Sequence, residues 1–348
     1  MPEVAAYAID SPTGRYHPTT ITRREPGPTE VYFDIAYAGI CHSDIHTARG
    51  GWGPIKYPFV GGHEIAGTVS RVGSEVTKFK VGDRVGVGCF VDSCRECDMC
   101  RQGEEQFCTS RPGTVWTYNG VGRDGLPTDG GYSKAITVEQ DYLMRVPDNM
   151  ALEHAAPLMC AGITTYNPLK RWGAGPGKRV GILGMGGLGH MGVQFAAALG
   201  AETIVLGRTL SKKEDGLKLG ATDYVSTQDG AAMRKLRGSF DLILSTISDG
   251  VDLNAVLKLL KAHGALVNVG LPEQPSSLEI GVLTGQARVL AGSNIGGIAE
   301  TQAMLDFCAE HDLRPIVEVI SADRIDEAYD NVVASKVRYR YVIDVATI

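Results

Sequence analysis

The first 150 residues carry short apolar stretches that are separated by glycine-containing turns. Apolar positions within residues 31–38, 65–72 and 83–87 predict three short strands. Short strands at this turn-rich spacing are typical of barrel-like β domains. The pattern therefore predicts a β-rich, barrel-like domain in the first part of the chain.

The pattern changes after Pro147, where helical and strand-like stretches alternate. Helices are predicted at 153–160 and 163–171, before a Gly/Pro-rich stretch at 173–177. The elements predicted beyond it are strand 179–183, helix 188–199, strand 203–206, helix 211–219, strand 223–225, strand 242–245, helix 252–262, strand 265–269 and strand 289–293. This alternation indicates βαβ units on a doubly wound parallel sheet. The tail, residues 300–348, is predicted to be a helix followed by mixed elements.

Length and charge narrow the classes of protein that fit this pattern. A chain of 348 residues is long for one core, so two domains are expected. The net charge of −6 argues against nucleic acid or an anionic membrane surface as a partner. No apolar run reaches the roughly 18–20 residues of a membrane span, and the N-terminal residues lack the pattern of a signal peptide. A cytoplasmic location is therefore expected.

Four cysteines follow one another at metal-binding spacing. They form the pattern C-x2-C-x2-C-x7-C, with Cys94, Cys97, Cys100 and Cys108. A structural zinc ion takes four thiolates in a closed tetrahedron, and short C-x2-C turns bring neighbouring sulfurs to one ion. An iron–sulfur cluster accepts similar spacing and is the main alternative. A nucleic-acid-binding zinc knuckle is disfavoured, because acidic residues outnumber basic ones around these cysteines.

A glycine-rich turn follows the predicted strand 179–183 and begins the predicted helix 188–199. It has the pattern G-x-G-x-x-G, and its candidate cofactor-binding residues are Gly184, Gly186, Gly187, Leu188 and Gly189. The glycines allow a tight turn and close approach of the backbone to a pyrophosphate, whose negative charge a helix N-terminus favours. The strand–turn–helix context and the βαβ units beyond it predict a dinucleotide site.

The residues that follow the second strand of this unit bear on the choice of cofactor. NAD-binding proteins usually carry an acid about 20 residues beyond the turn, where it binds the ribose 2′-hydroxyl. Here the strand ends at Gly207 and is followed by Arg208 and Lys212. No carboxylate repels a 2′-phosphate, and a guanidinium can bind it in a planar manner. The alternative is that both cations are the solvated start of a helix. The sequence favours NADP.

Three further motifs carry metal-ligating side chains: GICHSD with Cys41, GHE with His63, and PLMCAGITTY with Cys160. Taken singly, such a cysteine or histidine is more often a packed or satisfied group. Together with the four cysteines, the glycine-rich turn and the terminal VRYRYVIDV, they occur in the same order as in zinc-dependent medium-chain dehydrogenases. The chain resembles this family over essentially its whole length, and most closely its cinnamyl-alcohol-dehydrogenase-like branch.

The resemblance implies a mixed α/β fold with two domains. A GroES-like, β-rich catalytic domain would comprise residues 1–155 and 299–348, with a structural zinc lobe at 89–112. A Rossmann domain with a doubly wound parallel sheet would comprise residues 156–298 and bind NADP. Family members of this kind are often oligomers that extend the nucleotide-domain sheet, here at 289–295, so a homodimer or homotetramer is expected.

The resemblance also implies a catalytic zinc ion held by Cys41, His63 and Cys160, which makes two zinc ions per chain. Water, substrate or Glu64 would share the remaining coordination position, where zinc acts as a Lewis acid. Asp44 would orient His63 through the other ring nitrogen.

Ser43 and His46 match the proton relay of the same family. An alcohol must lose a proton before the hydride departs, and the Ser43 hydroxyl would pass it through the cofactor ribose to His46. Imidazole suits this task because it exchanges protons near neutral pH. Considered alone, His46 would be interpreted as a surface histidine.

Aromatic residues are expected over the metal. By resemblance, Trp52, Trp116 and Tyr118 would line a pocket that favours an apolar aldehyde. Asn294 occupies a position where the plant enzymes commonly carry an aromatic residue, so broad reduction of aliphatic and aromatic aldehydes is expected. The predicted function is hydride transfer between NADP(H) and a primary alcohol or its aldehyde, both small molecules.

Two other functions fit the same scaffold. A polyol dehydrogenase would tend to recruit a glutamate and water around zinc, whereas Cys160 argues for the alcohol branch. A catalytically silent nucleotide-binding protein would usually lack zinc ligands, yet Cys41, His63 and Cys160 are all present.

Overall fold

A computed structural model describes residues 2–111, 113–248, 250–272 and 274–348. Met1 and Pro112, which the predicted catalytic domain includes, lie outside the described residues, as do Asp249 and Glu273 of the predicted Rossmann domain. By backbone contacts the chain divides into two units. Unit 1 comprises Met1–Cys160 and Gly296–Ile348, and unit 2 comprises Ala161–Ile295.

The strands are β1 (Glu3–Ala8), β2 (His17–Thr22), β3 (Glu30–Gly39), β4 (Ile65–Val72), β5 (Arg84–Val87), β6 (Phe90–Asp92), β7 (Val115–Trp116), β8 (Ala135–Glu139), β9 (Met144–Arg145), β10 (Arg179–Leu183), β11 (Glu202–Gly207), β12 (Asp223–Ser226), β13 (Phe240–Ser245), β14 (Leu260–Asn268), β15 (Val289–Gly292), β16 (Val317–Ile320) and β17 (Arg340–Asp344). The α-helices are α1 (His42–Ala48), α2 (Asp98–Arg101), α3 (Leu152–Pro157), α4 (Ile163–Arg171), α5 (Gly189–Ala198), α6 (Lys213–Lys218), α7 (Gly230–Lys235), α8 (Leu253–Leu257), α9 (Ile280–Thr284), α10 (Ile298–Glu310) and α11 (Ile325–Val333). A π-helical turn, Leu158–Gly162, separates α3 from α4.

Unit 1 is built around a seven-stranded sheet. Its strand order is β16-β17-β3-β4-β5-β9, and β8 also pairs with β3. The strand β3 contains the β-branched and aromatic run VYFDI, in which Asp34 is exposed and its neighbours are buried. The C-terminal strand β17 pairs antiparallel with the end of β3, where Val342 lies opposite Gly39. The sheet of unit 1 is thus completed by the last segment of the chain.

Unit 2 is built around a six-stranded parallel sheet. Its order is β12-β11-β10-β13-β14-β15, so strands are added outwards on both sides of β10. Buried residues of β13 and β14, among them Phe240, Ile243 and Leu266, form its apolar core. This is the strand order of doubly wound nucleotide-binding domains. The parallel α/β fold predicted from the alternation of elements is confirmed.

The helix predicted at 252–262 is wrong in its second half. Asp252 does begin a helix, because its side chain accepts the N–H of Ala255, but α8 ends at Leu257. The strand β14 begins at Leu260, which pairs with Phe240 across an irregular register. Buried leucines at this spacing fit a helix and a strand equally well, and the pairing with β13 decides between them.

No helix in the described ranges combines the length and apolar composition needed to cross a membrane.

Candidate metal and nucleotide sites

The side chains of Cys41, His63, Glu64 and Cys160 meet at one point inside unit 1. One ligand atom of each lies within 4.8 Å of the others, and all four residues are buried. Cys41 precedes α1 at the end of β3, His63 and Glu64 precede β4, and Cys160 lies in the π-helical turn. Two sulfurs, an imidazole nitrogen and a carboxylate oxygen form a donor set that suits zinc. These four residues are called the Cys–His–Glu cluster below.

The carboxylate of Asp44 organises the backbone and the histidine of this cluster. Its Oδ1 lies 2.9 Å from His63 Nδ1 and accepts the N–H of Gly62 at 3.1 Å. Its Oδ2 accepts the N–H of Cys41 at 2.8 Å. Asp44 is buried. Because Nδ1 of His63 is occupied in this way, Nε2 is the ring nitrogen that remains for a metal ion.

Ionisation within the cluster is unequal. A hydrogen bond with Cys160 lowers the pKa of the Cys41 thiol well below its ordinary value, against the opposing effect of burial, and His63 lowers it further. The same hydrogen bond raises the pKa of Cys160 well above its ordinary value. Burial disfavours charge on His63, but Asp44 together with Cys89 and Cys41 outweighs the effect of burial, so the pKa of the imidazole is raised. The site therefore stabilises negative charge on the sulfur of Cys41, and the thiolate is the form in which cysteine binds metal.

Glu64 forms a buried ion pair with Arg340 of β17. Arg340 Nη2 donates to Glu64 Oε1. Within the described chain, Glu64 Oε2 is buried with no hydrogen-bond partner, so this oxygen is available to a cation. Burial raises the pKa of Glu64 to about 7, although Arg340 opposes the rise.

Sequence reasoning missed two residues that contact the cluster. Arg340 begins the buried strand β17, and an arginine within an apolar terminal strand is the signal that could have indicated a buried charge partner. The thiol of Cys89 hydrogen-bonds with Cys160 and contributes to its raised pKa. Cys89 belongs to no spacing pattern, so nothing in the sequence pointed to it.

The predicted relay residues lie on or beside α1. The Sγ of Cys41 lies 3.6 Å from Ser43 Oγ. The His46 ring stacks on Trp52, with ring centroids 5.2 Å apart and an interplanar angle of 17°. The structure thus brings Ser43 to the Cys–His–Glu cluster and His46 to Trp52, whose exposed fraction is 46%.

The other predicted pocket residues differ in their surroundings. The Tyr118 ring packs edge-on against His63 with centroids 5.4 Å apart. Trp116 lies on β7 and is 40% exposed. Asn294 belongs to unit 2 and is exposed, next to Ile295, whose carbonyl accepts a hydrogen bond from Asn167 at 2.6 Å.

The four cysteines predicted as a structural site are brought together by α2 and the 3-10 turn after it. The Sγ atom of Cys100 lies 3.7 Å from that of Cys94 and 3.5 Å from that of Cys97, while Cys97 and Cys108 are 4.0 Å apart. Zn–S bonds of about 2.3 Å in a tetrahedron place sulfurs about 3.8 Å apart. The spacing fits a single ion and leaves no room for an iron–sulfur core. These residues are called the four-cysteine cluster below.

The loop that carries this cluster also contacts the start of α10. Glu105 Oε2 accepts the N–H of Ile298 at 3.1 Å. A Cβ at Gly297 would lie 1.7 Å from the carbonyl oxygen of Gly103, so only glycine fits there. The loop therefore caps a helix N-terminus with a carboxylate, an arrangement favoured by the helix dipole.

The glycine-rich turn joins β10 to α5 in unit 2. Gly184 has a φ of +96°, which favours glycine, and a Cβ at Gly189 would lie 2.0 Å from the carbonyl oxygen of Gly184. A Cβ at Gly186 would meet no atom within 4 Å in the described chain. Gly187 and Leu188 complete the turn before α5. Backbone conformation thus explains Gly184 and packing explains Gly189, while the open space at Gly186 would fit a pyrophosphate.

The residues beyond β11 lie at the same edge of the parallel sheet as this turn. Gly207 ends β11, and a Cβ there would lie 2.1 Å from the hydroxyl of Tyr224. Arg208 is exposed, and its carbonyl accepts the Ser226 hydroxyl at 2.9 Å. Lys212 Nζ donates to the carbonyl of Met185 in the glycine-rich turn at 2.9 Å. Arg208 and Lys212 thus both lie at the edge of the sheet that carries the glycine-rich turn.

The fold and these two kinds of site define a class. A doubly wound sheet with a glycine-rich turn, joined to a β-rich unit with one mixed and one four-cysteine cluster, is the organisation of zinc-dependent medium-chain dehydrogenases.

Comparisons with known proteins give the same answer. Residues 27–148 match the family described as alcohol dehydrogenase GroES-like domain, and residues 187–310 match zinc-binding dehydrogenase. The chain is 60% identical over 348 residues to NADP-dependent alcohol dehydrogenase C 1 of Mycolicibacterium smegmatis, covering 100% of this chain and 99% of that protein. It is 52% identical over 341 residues to a probable formaldehyde dehydrogenase of Bacillus subtilis, covering 98% and 97%.

Solved structures match over nearly the whole chain as well. A cinnamyl alcohol dehydrogenase from Sorghum bicolor has a TM-score of 0.95 at 40% identity, covering 99% of this chain and 98% of that one. A cinnamyl alcohol dehydrogenase from Helicobacter pylori complexed with NADP(H) has a TM-score of 0.93 at 43% identity, with the same coverage. This chain belongs to the zinc-binding alcohol dehydrogenase family. The predicted family, GroES-like and Rossmann fold class and enzyme class are confirmed.

Proposed function

We propose that this protein is an NADP-dependent zinc alcohol dehydrogenase and aldehyde reductase, active on primary alcohols and their aldehydes of broad aliphatic and aromatic type. The observation that carries the proposal is the buried Cys–His–Glu cluster, whose histidine is oriented by Asp44 at 2.9 Å. Relatives named for NADP, formaldehyde, 8-hydroxygeraniol and cinnamyl alcohol support both the cofactor and the breadth of the substrate class.

In this proposal each unit has one task. Unit 1 corresponds to the catalytic domain (1–155 and 299–348), where Cys41, His63 and Cys160 hold the catalytic zinc and the four-cysteine cluster holds the structural zinc. Unit 2 corresponds to the Rossmann domain (156–298), where the glycine-rich turn takes the pyrophosphate and Arg208 and Lys212 take the 2′-phosphate. The bound zinc supplies a Lewis acid that polarises the substrate oxygen, and NADPH supplies the hydride.

The chain's own residues orient the histidine ligand, balance the charge of Glu64 and transfer the proton. Asp44 holds His63 in one ring orientation, and Arg340 balances the charge of Glu64. The Ser43 hydroxyl lies at the cluster and gives its proton to the reduced substrate oxygen. His46, which is half-buried, exchanges the proton with solvent. Trp52 and Trp116, both of unit 1, set the substrate range.

Assembly and location complete the proposal. A homodimer or homotetramer is proposed from the open edge strand β15 of the unit 2 sheet, which carries the exposed Val289. A cytoplasmic location is proposed from the similarity to NADP-dependent alcohol dehydrogenases.

The test is a steady-state assay of zinc-loaded protein with a panel of aliphatic and aromatic aldehydes, using NADPH and NADH in parallel. Several aldehydes should be reduced, with NADPH strongly preferred. A polyol oxidised faster than every primary alcohol would contradict the substrate class, and no turnover would contradict the enzyme. Cys160→Ala should abolish turnover, whereas its matched control, Cys94→Ala, should lower stability.

A further inference from the structure

Three tyrosines that the proposed reaction does not use meet in the interior of unit 1. Tyr16 precedes β2, Tyr132 precedes β8 and Tyr329 lies on α11, and all three are buried. The ring of Tyr16 packs edge-on against Tyr132 at 5.8 Å and against Tyr329 at 5.3 Å between centroids. The hydroxyls of Tyr16 and Tyr329 are 3.0 Å apart, and Tyr329 donates to Tyr132 at 3.3 Å. These residues are called the tyrosine cluster.

The tyrosine cluster lies directly against the two glycines that precede His63. A Cβ at Gly62 would lie 2.7 Å from Cδ1 of Tyr132, and Gly62 has a φ of +95°. A Cβ at Gly61 would lie 3.1 Å from Cε2 of Tyr132 and 3.3 Å from the hydroxyl of Tyr16. The N–H of Tyr132 also donates to the carbonyl of Gly61 at 2.9 Å. No side chain separates the backbone of Gly61 and Gly62 from the Tyr132 ring. The position of this backbone therefore follows the position of the ring.

The same backbone also contacts Asp44. The N–H of Gly62 and Nδ1 of His63 both meet Oδ1 of Asp44, at 3.1 and 2.9 Å. A displacement of Gly62 therefore changes the position of the oxygen that orients His63. The contacts run from the tyrosine ring through glycine backbone to a short carboxylate, with no flexible side chain in between.

The hydroxyl groups explain why these positions are tyrosines. Burial raises the pKa of all three phenols, and the negative charge of Asp44 raises it further, so each hydroxyl keeps its proton. A buried hydroxyl without a partner costs about 1–3 kcal/mol. The mutual hydrogen bonds avoid that cost, and together with the edge-on contact to Tyr16 they hold the Tyr132 ring in place.

We propose that the tyrosine cluster positions the histidine ligand of the catalytic metal, with Tyr132 as the positioning residue and Tyr16 and Tyr329 holding it in place. This inference rests on the proposed metal site. It makes the geometry of His63 dependent on segments near both ends of the chain and on the loop before β8.

The test removes one hydroxyl while the ring stays. Tyr132→Phe removes the hydroxyl that accepts from Tyr329, and Tyr329→Phe removes the donor of that bond. Tyr142→Phe is the matched control, because Tyr142 is equally buried but bonds to Ser93 at 2.5 Å, beside Cys100 of the four-cysteine cluster. Two quantities are measured: the rate at which a chelator removes metal from the Cys–His–Glu cluster, and the absorption bands of protein with cobalt in that cluster.

Tyr132→Phe and Tyr329→Phe should both release the metal faster and shift the cobalt bands. Loss of a group that contacts a ligand directly weakens metal binding about 10- to 100-fold, so a partner one contact further away should give about 3- to 10-fold. Tyr142→Phe should leave this site unchanged.

Unchanged release rates and cobalt bands in both cluster variants would overturn the inference. Equal changes in Tyr132→Phe and Tyr142→Phe, in proportion to a common fall in Tm, would also overturn it, because they would indicate general loosening of unit 1. Wild-type protein that binds no metal at the Cys–His–Glu cluster would refute the proposed function itself, and this inference with it.

Discussion

Replacing Arg208 with glutamine should lower the activity with NADPH and leave the activity with NADH unchanged. The change removes one charge from an exposed side chain, while the backbone at this position stays held by the Ser226 hydroxyl at 2.9 Å. Hydrogen bonds to charged groups contribute about 1.5–3 kcal/mol. Because Arg208 is exposed and solvent screens its charge, the lower end of this range applies. It corresponds to about a tenfold loss of affinity for NADPH.

Initial rates of aldehyde reduction measure this effect. For Arg208→Gln, kcat/KM for NADPH should fall about tenfold, and kcat/KM for NADH, which has no 2′-phosphate, should stay the same. Arg237→Gln is the matched control: Arg237 is also exposed in unit 2 but precedes β13, at the opposite edge of the parallel sheet from the residues that follow β11. An equal fall for both cofactors, or no fall for NADPH, would refute the assignment of Arg208 to the phosphate.

Three more changes test other parts of the structure. Gly207→Asp should lower the free energy of unfolding, measured by urea denaturation, by about 1–3 kcal/mol and should gain no activity with NADH, because its Cβ would overlap the Tyr224 hydroxyl. Unchanged stability would contradict this. Arg340→Met should lower the free energy of unfolding by about 3–5 kcal/mol in the same assay, because it leaves Glu64 buried without its counter-charge. Adding Glu64→Gln should restore most of this stability. A double variant as unstable as Arg340→Met alone would argue against the ion pair. Cys94→Ser should lower Tm and remove one zinc ion per chain in elemental analysis, and full zinc content would contradict the four-cysteine site.

Local patterns were enough to predict many elements and to select the residues of both metal clusters. The predicted strands 65–72 and 179–183 coincide with β4 and β10, because apolar runs bounded by glycine leave little choice of period. The four cysteines lie within fifteen positions, so their spacing alone carries the chemistry of one ion.

Contacts between distant segments could not be predicted in this way. Arg340 and Glu64 are 276 positions apart, and no local rule joins them. Tyr16 and Tyr329 are 313 positions apart, and each looks like an ordinary aromatic core residue in its own segment. The helix expected at 252–262 failed for a related reason, since the partner strand β13, and not the leucine spacing, determines where β14 begins.

The pairing of β17 with β3 has a consequence for the order in which the two units can fold during translation. Unit 2 is one continuous segment, so it has its whole sheet available while the C-terminal segment is still being translated. Domains generally fold as units during synthesis, N-terminal first, but here the earlier unit must wait for the last strand. Until β17 emerges, residues 37–39 at the end of β3 lack the strand with which they pair, and Glu64 lacks Arg340. The half-made protein thus exposes a sheet edge that chaperones, or other nascent chains, can bind.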